Sequence, residues 1–323
     1  MAAVIVTSGT VWGVLRRPRG LGPGAVAWLG AALMLSLGLV RPADVVAVFR
    51  LTWDATLALI GMVLTAEILD QARFFRAGAL FVARAARGRP AALFFGLTLL
   101  TAAVAAFFTN DAAVLILTPI ACELAAAFGW SAAQALPLLF AVGFVADTFS
   151  LPFTTSNLVN IMSADAARLP FGAYARAMAV PSAVSLAVSL AVLWWRFGGR
   201  SGHARPFAPG AGVPLPPLPA PGAAVRDRVL VAAGAVVLIL EMVCLFWASR
   251  HRVPTAAIVG GGALLLALLA AWRPGVSVRG ALLRAPWQVI FFAAGMFLVV
   301  DGLGRAGWAQ LWARNLEIWA AHP

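Results

Sequence analysis

Two short polar stretches hold the side chains that could do chemistry. The first is Thr109-Asn110-Asp111, in the middle of an apolar run over residues 91–127. The second reads Asp-Thr-Phe-Ser-Leu-Pro-Phe-Thr-Thr-Ser-Asn-Leu-Val-Asn, from Asp147 to Asn160, with apolar sequence leading into it from Leu136. A carboxylate at the centre of an apolar layer costs at least about 3 kcal/mol, so an acid placed there is expected to have a function. The two acids can take up and release protons. The amides and hydroxyls can hydrogen-bond an uncharged polar solute. The candidate ligand- and ion-binding residues are therefore Asn110, Asp111, Asp147, Ser150, Thr154, Ser156, Asn157 and Asn160. No basic residue lies within a helical turn of Asp111 or Asp147, so neither acid has a local partner. In helical register Asp147, Ser150 and Thr154 fall at i, i+3 and i+7, on one face, and Asn157 and Asn160 continue roughly along it. Pro152 lacks the amide hydrogen that would bond a carbonyl one turn earlier, so unwinding is expected between Ser150 and Ser156. The hydroxyls have an equally good alternative role as hydrogen bonds between helices, worth about 1 kcal/mol each.

These stretches need a membrane around them, and composition supplies it. The chain has 323 residues, of which 62% are hydrophobic and 11% charged, with a mean hydropathy of +0.92. A soluble domain is nearer half apolar and a quarter charged, which excludes one here. Apolar runs of helical length separated by short arginine-rich loops point to an α-helical bundle and exclude a barrel. The net charge is +12, and every basic residue is arginine. The arginines sit between apolar runs, so topology explains them and nucleic acid does not. Cys122 and Cys244 lie in predicted helices and read as core residues. His203, His251 and His322 show no metal-ligand spacing, and no metal or cofactor is expected.

Apolar segments are expected over residues 2–15, 24–40, 55–69, 91–127, 136–162, 174–195, 229–247, 255–272 and 286–300. Residues 44–53 read as a loop or interfacial stretch. Residues 73–89 carry five arginines among Phe74, Phe75, Leu80, Phe81 and Val82, a pattern that suits a helix in the headgroup region or a solvated cytoplasmic loop. The run 91–127 is too long for one pass, which leaves two full helices with a tight turn or a re-entrant hairpin. Glu67 and Asp70 lie near a helix end and are expected to snorkel or to pair with Arg73 or Arg76. Glu123 and Glu241 each have a wet cavity or an interface within reach. Trp308, Trp312 and Trp319 suit an interface. Residues 198–228, rich in Pro, Gly and Ala, divide the chain into 1–197, a linker, and 229–323. Counting crossings puts the basic loops 73–89, 196–228 and 273–284 on one side, the cytoplasmic one.

The run from Phe107 to Pro119, with its Asn110-Asp111 and Leu117-Thr118-Pro119, resembles the signature of the ArsB arsenite efflux permeases. Gly143 to Pro152 and Ser156-Asn157-Leu158-Val159-Asn160-Ile161-Met162-Ser163-Ala164-Asp165 resemble that family more closely still. Arg284-Ala285-Pro286-Trp287-Gln288-Val289-Ile290, followed by Gly295-Met296 and Leu298-Val299-Val300, is similar to its later segment. The resemblance runs along nearly the whole chain. It implies an all-α polytopic membrane protein with discontinuous helices or a re-entrant hairpin. It also implies the first half of an inverted-repeat transporter fold plus the start of the second. The family's second Asn-containing motif has no match in residues 229–323.

The function so implied is efflux of arsenite and antimonite, as trihydroxides, across the cell membrane by a multi-pass secondary transporter. Optional pairing with a soluble arsenite-stimulated ATPase is implied too, with loops 73–89 and 196–228 as its contact. Association into a homo-oligomer stays open. The rival readings are Na+/H+ antiport, anion transport, or an inactive half-transporter. A membrane enzyme is disfavoured, since the chain has no HExxH, GxSxG or His-carboxylate cluster.

Overall fold

The computed structural model describes residues 1–198, 218–248, 251, 253–284 and 287–308. Most of the linker, Arg250, Arg252, His203, His322, Trp312 and Trp319 lie outside the described residues. Every regular element among them is helical. Among the described residues six helices are long and apolar enough to cross a membrane, which makes the chain a multi-pass membrane protein. Contacts divide it into two compact units, residues 1–56 with 287–308, and residues 57–284.

The first unit holds α1 (Ala2–Arg16), α2 (Pro23–Ser36), the start of α3 (Pro42–Gln71) and α14 (Trp287–Arg305). Pro23 and Pro42 open their helices, where the missing amide costs nothing. Small residues allow close approach. A Cβ on Gly295 would lie 2.8 Å from the Ala27 carbonyl carbon, and one on Gly13 2.8 Å from Val26. Asp44 accepts the Arg41 amide at 2.8 Å and pairs with Arg305 at 2.6 Å. That corrects the loop expected over 44–53. Those residues are helical, and α3 runs unbroken for 30 residues, about 45 Å. Asp44, one of the charges in that stretch, has a partner in Arg305 that sequence spacing cannot reveal.

The second unit continues α3 from Leu57 and adds α4 (Phe74–Ala85), α5 (Pro90–Phe107), α6 (Asn110–Ala127), α7 (Ala132–Thr148), α8 (Leu158–Ala166) and α9 (Phe171–Phe197). After the linker come α10 (Pro221–Ala224), α11 (Arg228–Ala248), α12 (Thr255–Ala271) and α13 (Val278–Arg284). Its core includes Phe75, Phe94, Leu97, Leu138 and Val145. Helix α4 buries Phe75, Ala79, Leu80 and Ala83 and packs on α5 and α6. The run 91–127 is two helices of 18 residues, about 27 Å each, joined at Phe108-Thr109, an arrangement that fits both the two-helix and the hairpin reading. Cys122 and Cys244 are both exposed and unbridged. They are not core residues, contrary to expectation, because each falls on the outward stripe of its helix.

The three basic segments come together in this unit. The Gln71 side-chain amide donates to Ser277 O at 3.2 Å, and the Ser277 amide donates to Gln71 Oε1 at 2.8 Å. The Arg226 amide donates to Ala72 O at 3.1 Å, and Arg84 Nη1 to Leu218 O at 3.3 Å.

Candidate functional site

The site is built from two interrupted helices. Helix α5 ends at Phe107, and Thr109 caps α6, its hydroxyl accepting the Ala112 amide at 3.1 Å. Thr109 is fully buried, so the cap replaces a bond that water cannot make. Asn110 and Asp111 therefore occupy the first turn of α6, and both are partly buried.

The second interruption lies between α7 and α8. Helix α7 stops at Thr148, four residues before Pro152. The missing Pro152 amide leaves the Thr148 carbonyl without a helical partner, and Ser185 of α9 donates to that carbonyl at 2.7 Å. Ser189, one turn further on, donates to the Thr148 hydroxyl at 3.1 Å. After an extended stretch, Thr154–Ser156 form a single 3-10 turn. Asn157 then caps α8, its Oδ1 accepting the Val159 amide at 3.1 Å. Helix α8 has nine residues, about 13 Å, too short to cross a bilayer alone.

The expected unwinding at 150–156 is present, and it begins slightly earlier, at Phe149. The single helical face expected for Asp147, Ser150 and Thr154 does not form, because the helix has already ended. A folded loop gathers these residues instead. The Ser150 hydroxyl donates to Asp147 O at 2.9 Å. The Ser156 hydroxyl lies 2.6 Å from Phe153 O and 2.9 Å from Ser150 O. The Asn160 amide donates to Ser150 O at 2.6 Å, with Phe153 O at 3.2 Å and Ser156 Oγ at 3.3 Å. Ser150, Ser156 and Asn160 are thus committed to holding the loop, and Thr154 is buried with them. Thr155, which the sequence did not single out, is 1% exposed, and its hydroxyl has no hydrogen-bond partner. Thr148, Ser185 and Ser189 were also missed. Counting four residues back from Pro152 locates the freed carbonyl, but nothing in the sequence says which helix supplies the donor.

The two interruptions abut. Asp147, exposed at the end of α7, lies near enough to Asp111 for the two carboxyls to repel. The Phe107 and Phe153 rings are 5.5 Å apart, and Phe153 stacks on Phe171 at 5.7 Å. Two acids thus come near one another where α6 begins and α7 ends, with Asn110 beside Asp111 in sequence and Asn157 at the start of α8. Helix starts offer unbonded amide hydrogens and helix ends offer unbonded carbonyls. Such a place can hold an uncharged polyhydroxy solute by hydrogen bonds alone, and its acids can exchange protons.

A cavity of about 640 Å³ opens in the same unit. Asp70, Arg73, Arg76, Glu123, Arg226 and Arg284 line it, and it reaches Leu115 of α6, one turn from Asp111. Arg76 pairs with Glu123 at 2.9 Å, so the acid for Arg76 is not Glu67 or Asp70 as the spacing suggested. Asp70 lies near Arg284 and near Arg73, the latter one of the two partners expected for it. Gly275, with φ +91°, lies under the Arg226 guanidinium, where a Cβ would be 2.7 Å from Nη2.

The model of the arsenical pump membrane protein family, ArsB, matches residues 2–321. The chain belongs to that family. Relatives named arsenical pump membrane protein occur in Escherichia coli K12 and Shigella flexneri. Each is 39% identical over 307 residues, covering 95% of this chain and 70% of the relative. One from Yersinia enterocolitica is 39% identical over 291 residues, covering 90% of this chain and 66% of its own length.

Proposed function

We propose that this chain exports arsenite and antimonite across the cell membrane as a secondary transporter. The observation that carries the reading is the meeting of the two helix interruptions. Asp111 and Asp147 come near one another there, and no arginine lies within a helical turn of either; in this reading Asn110, next to Asp111, and Asn157, which caps α8, complete the site. At neutral pH the substrates are uncharged trihydroxides, and such a solute needs hydrogen-bond donors and acceptors, not a countercharge. The relatives' name, arsenical pump, supports the substrate class. The cavity between the basic segments is the approach from the cytoplasm, since it reaches α6 one turn from Asp111. Proton exchange at Asp111 or Asp147 couples export to the membrane's proton gradient. A soluble arsenite-stimulated ATPase would dock on α4, at the mouth of that cavity.

Arsenite accumulation in a host without its own efflux system tests the reading. Cells carrying the chain should accumulate several-fold less arsenite than cells without it. Asp147→Asn and Asn157→Ala should each restore accumulation, at unchanged amounts of membrane-inserted protein. Equal accumulation with and without the inserted chain would end the arsenite reading. Sodium-dependent proton movement in everted vesicles would then favour Na+/H+ antiport.

A further inference from the structure

Glu241 has no part in the site above. It lies on α11, about 20 Å along the axis from Arg228, in a helix apolar enough to cross a membrane. The residue is 3% exposed, and neither carboxyl oxygen has a hydrogen-bond partner. Val237 and Leu245, one turn either side on the same face, are buried as well. Opposite stands Gly262 of α12. A Cβ there would collide with Glu241 Oε1 and lie 2.9 Å from its Cδ and from Val237 Cγ1. Glycine at 262 therefore makes the room that the carboxyl fills. Val259 and Leu266, on the same face of α12, are 0% and 1% exposed.

The surroundings bear on what Glu241 can bind. Helix α12 carries no ionisable residue between Thr255 and Ala271. The ionisable residues of α9 are Tyr174, Arg176 and Arg196, and near the α11 contact α3 has Glu67 and Asp70. None of these acts on Glu241. A hard metal cation asks for about six oxygen ligands, and this apolar shell offers the two of one carboxyl. A proton asks for one oxygen. A buried carboxylate with neither a cation nor a donor is satisfied most cheaply by taking up a proton.

We propose that Glu241 is a proton-carrying carboxyl of the transport cycle, seated against Gly262 and separate from Asp111 and Asp147. Its carboxylate takes one proton from water on one side of the membrane, becoming the carboxylic acid. It returns that proton to water on the other side, with no other bond made or broken. The proposal rests on the secondary-transporter reading, and its first test does not.

Everted vesicles containing the full chain are treated with dicyclohexylcarbodiimide, an apolar reagent that modifies protonated carboxyls in apolar surroundings. Peptide mass spectrometry should find Glu241 modified, and a water-soluble carbodiimide should leave it unmodified. An unmodified Glu241 overturns the proposal, even in a chain that exports arsenite. A modified Glu241 in a chain that moves no arsenite upholds the proton site and overturns the arsenite reading. In an active chain, Glu241→Gln should lower the response of arsenite uptake to an imposed proton gradient at least tenfold. Glu241→Asp should restore part of that response. A Glu241→Gln chain with the full response overturns the proposal.

Discussion

At the scale of single residues, the polar side chains around the second interruption divide into two kinds. Asn160 is buried and donates into the backbone of its own loop, with Ser150 O at 2.6 Å. Removing it takes a donor from two buried carbonyls and leaves Ser156 to serve both, a loss of roughly 1 kcal/mol. Asn110 is partly buried in the first turn of α6, and Thr109 already caps that helix. Asn160→Ala should therefore lower the thermal midpoint of the purified protein by several degrees, while Asn110→Ala leaves the midpoint near its original value. Arsenite transport should fall in both. Equal midpoints for the two variants would contradict this division of roles.

At the scale of elements, the end of α7 is a joint between two helices. Pro152 withholds an amide from Thr148 O, and Ser185 supplies the replacement at 2.7 Å. Ser185→Ala should cost about 1 kcal/mol. With Pro152→Ala the residue-152 amide becomes available, α7 can extend by a turn, and the same Ser185→Ala change should cost less. A double-mutant cycle on stability measures the difference, and strict additivity would mean that the serine and the proline do not share the carbonyl. This joint was half legible in the sequence. Pro152 announced the break, and polar residues at membrane depth announced its importance. The donor 33 residues further on could not be read, because side-chain hydrogen bonds between helices follow packing, not local spacing. Helix α3 was illegible for the opposite reason. The mixed stretch 44–53 suggested a loop or an interface, yet Asp44 is held by Arg305, 261 residues away. Asp111 and Asp147 were legible as isolated acids, but not as neighbours, since only the contact between the two interruptions brings them together.

At the scale of the whole molecule, the arginines give the chain its orientation. Segments around residues 72, 84, 218, 226 and 277 are joined by hydrogen bonds in one unit, so they share a side of the membrane. By the positive-inside rule, the excess of arginine leads us to propose that this side is cytoplasmic. The turn after α8, residues 167–170, is exposed and separated from it by α7, the interruption and α8 in series, so it belongs to the opposite side. Cysteine accessibility tests this directly. Cys122 and Cys244 are exposed and should first be replaced by serine, to leave a background free of thiols. Arg84→Cys and Arg279→Cys should then react with a membrane-impermeant maleimide only in everted vesicles, and Leu169→Cys only in intact cells or spheroplasts. Each choice avoids the proposed site, so transport should persist and show that the labelled molecules are native. Labelling of positions 84 and 279 from opposite sides would break the shared-side topology, and with it the assignment of the cavity to the cytoplasmic face. Labelling of all three from the same side would place the interruption in a re-entrant segment, one that enters the bilayer and returns. Asp147 would then exchange protons with the cytoplasm rather than with the outer medium.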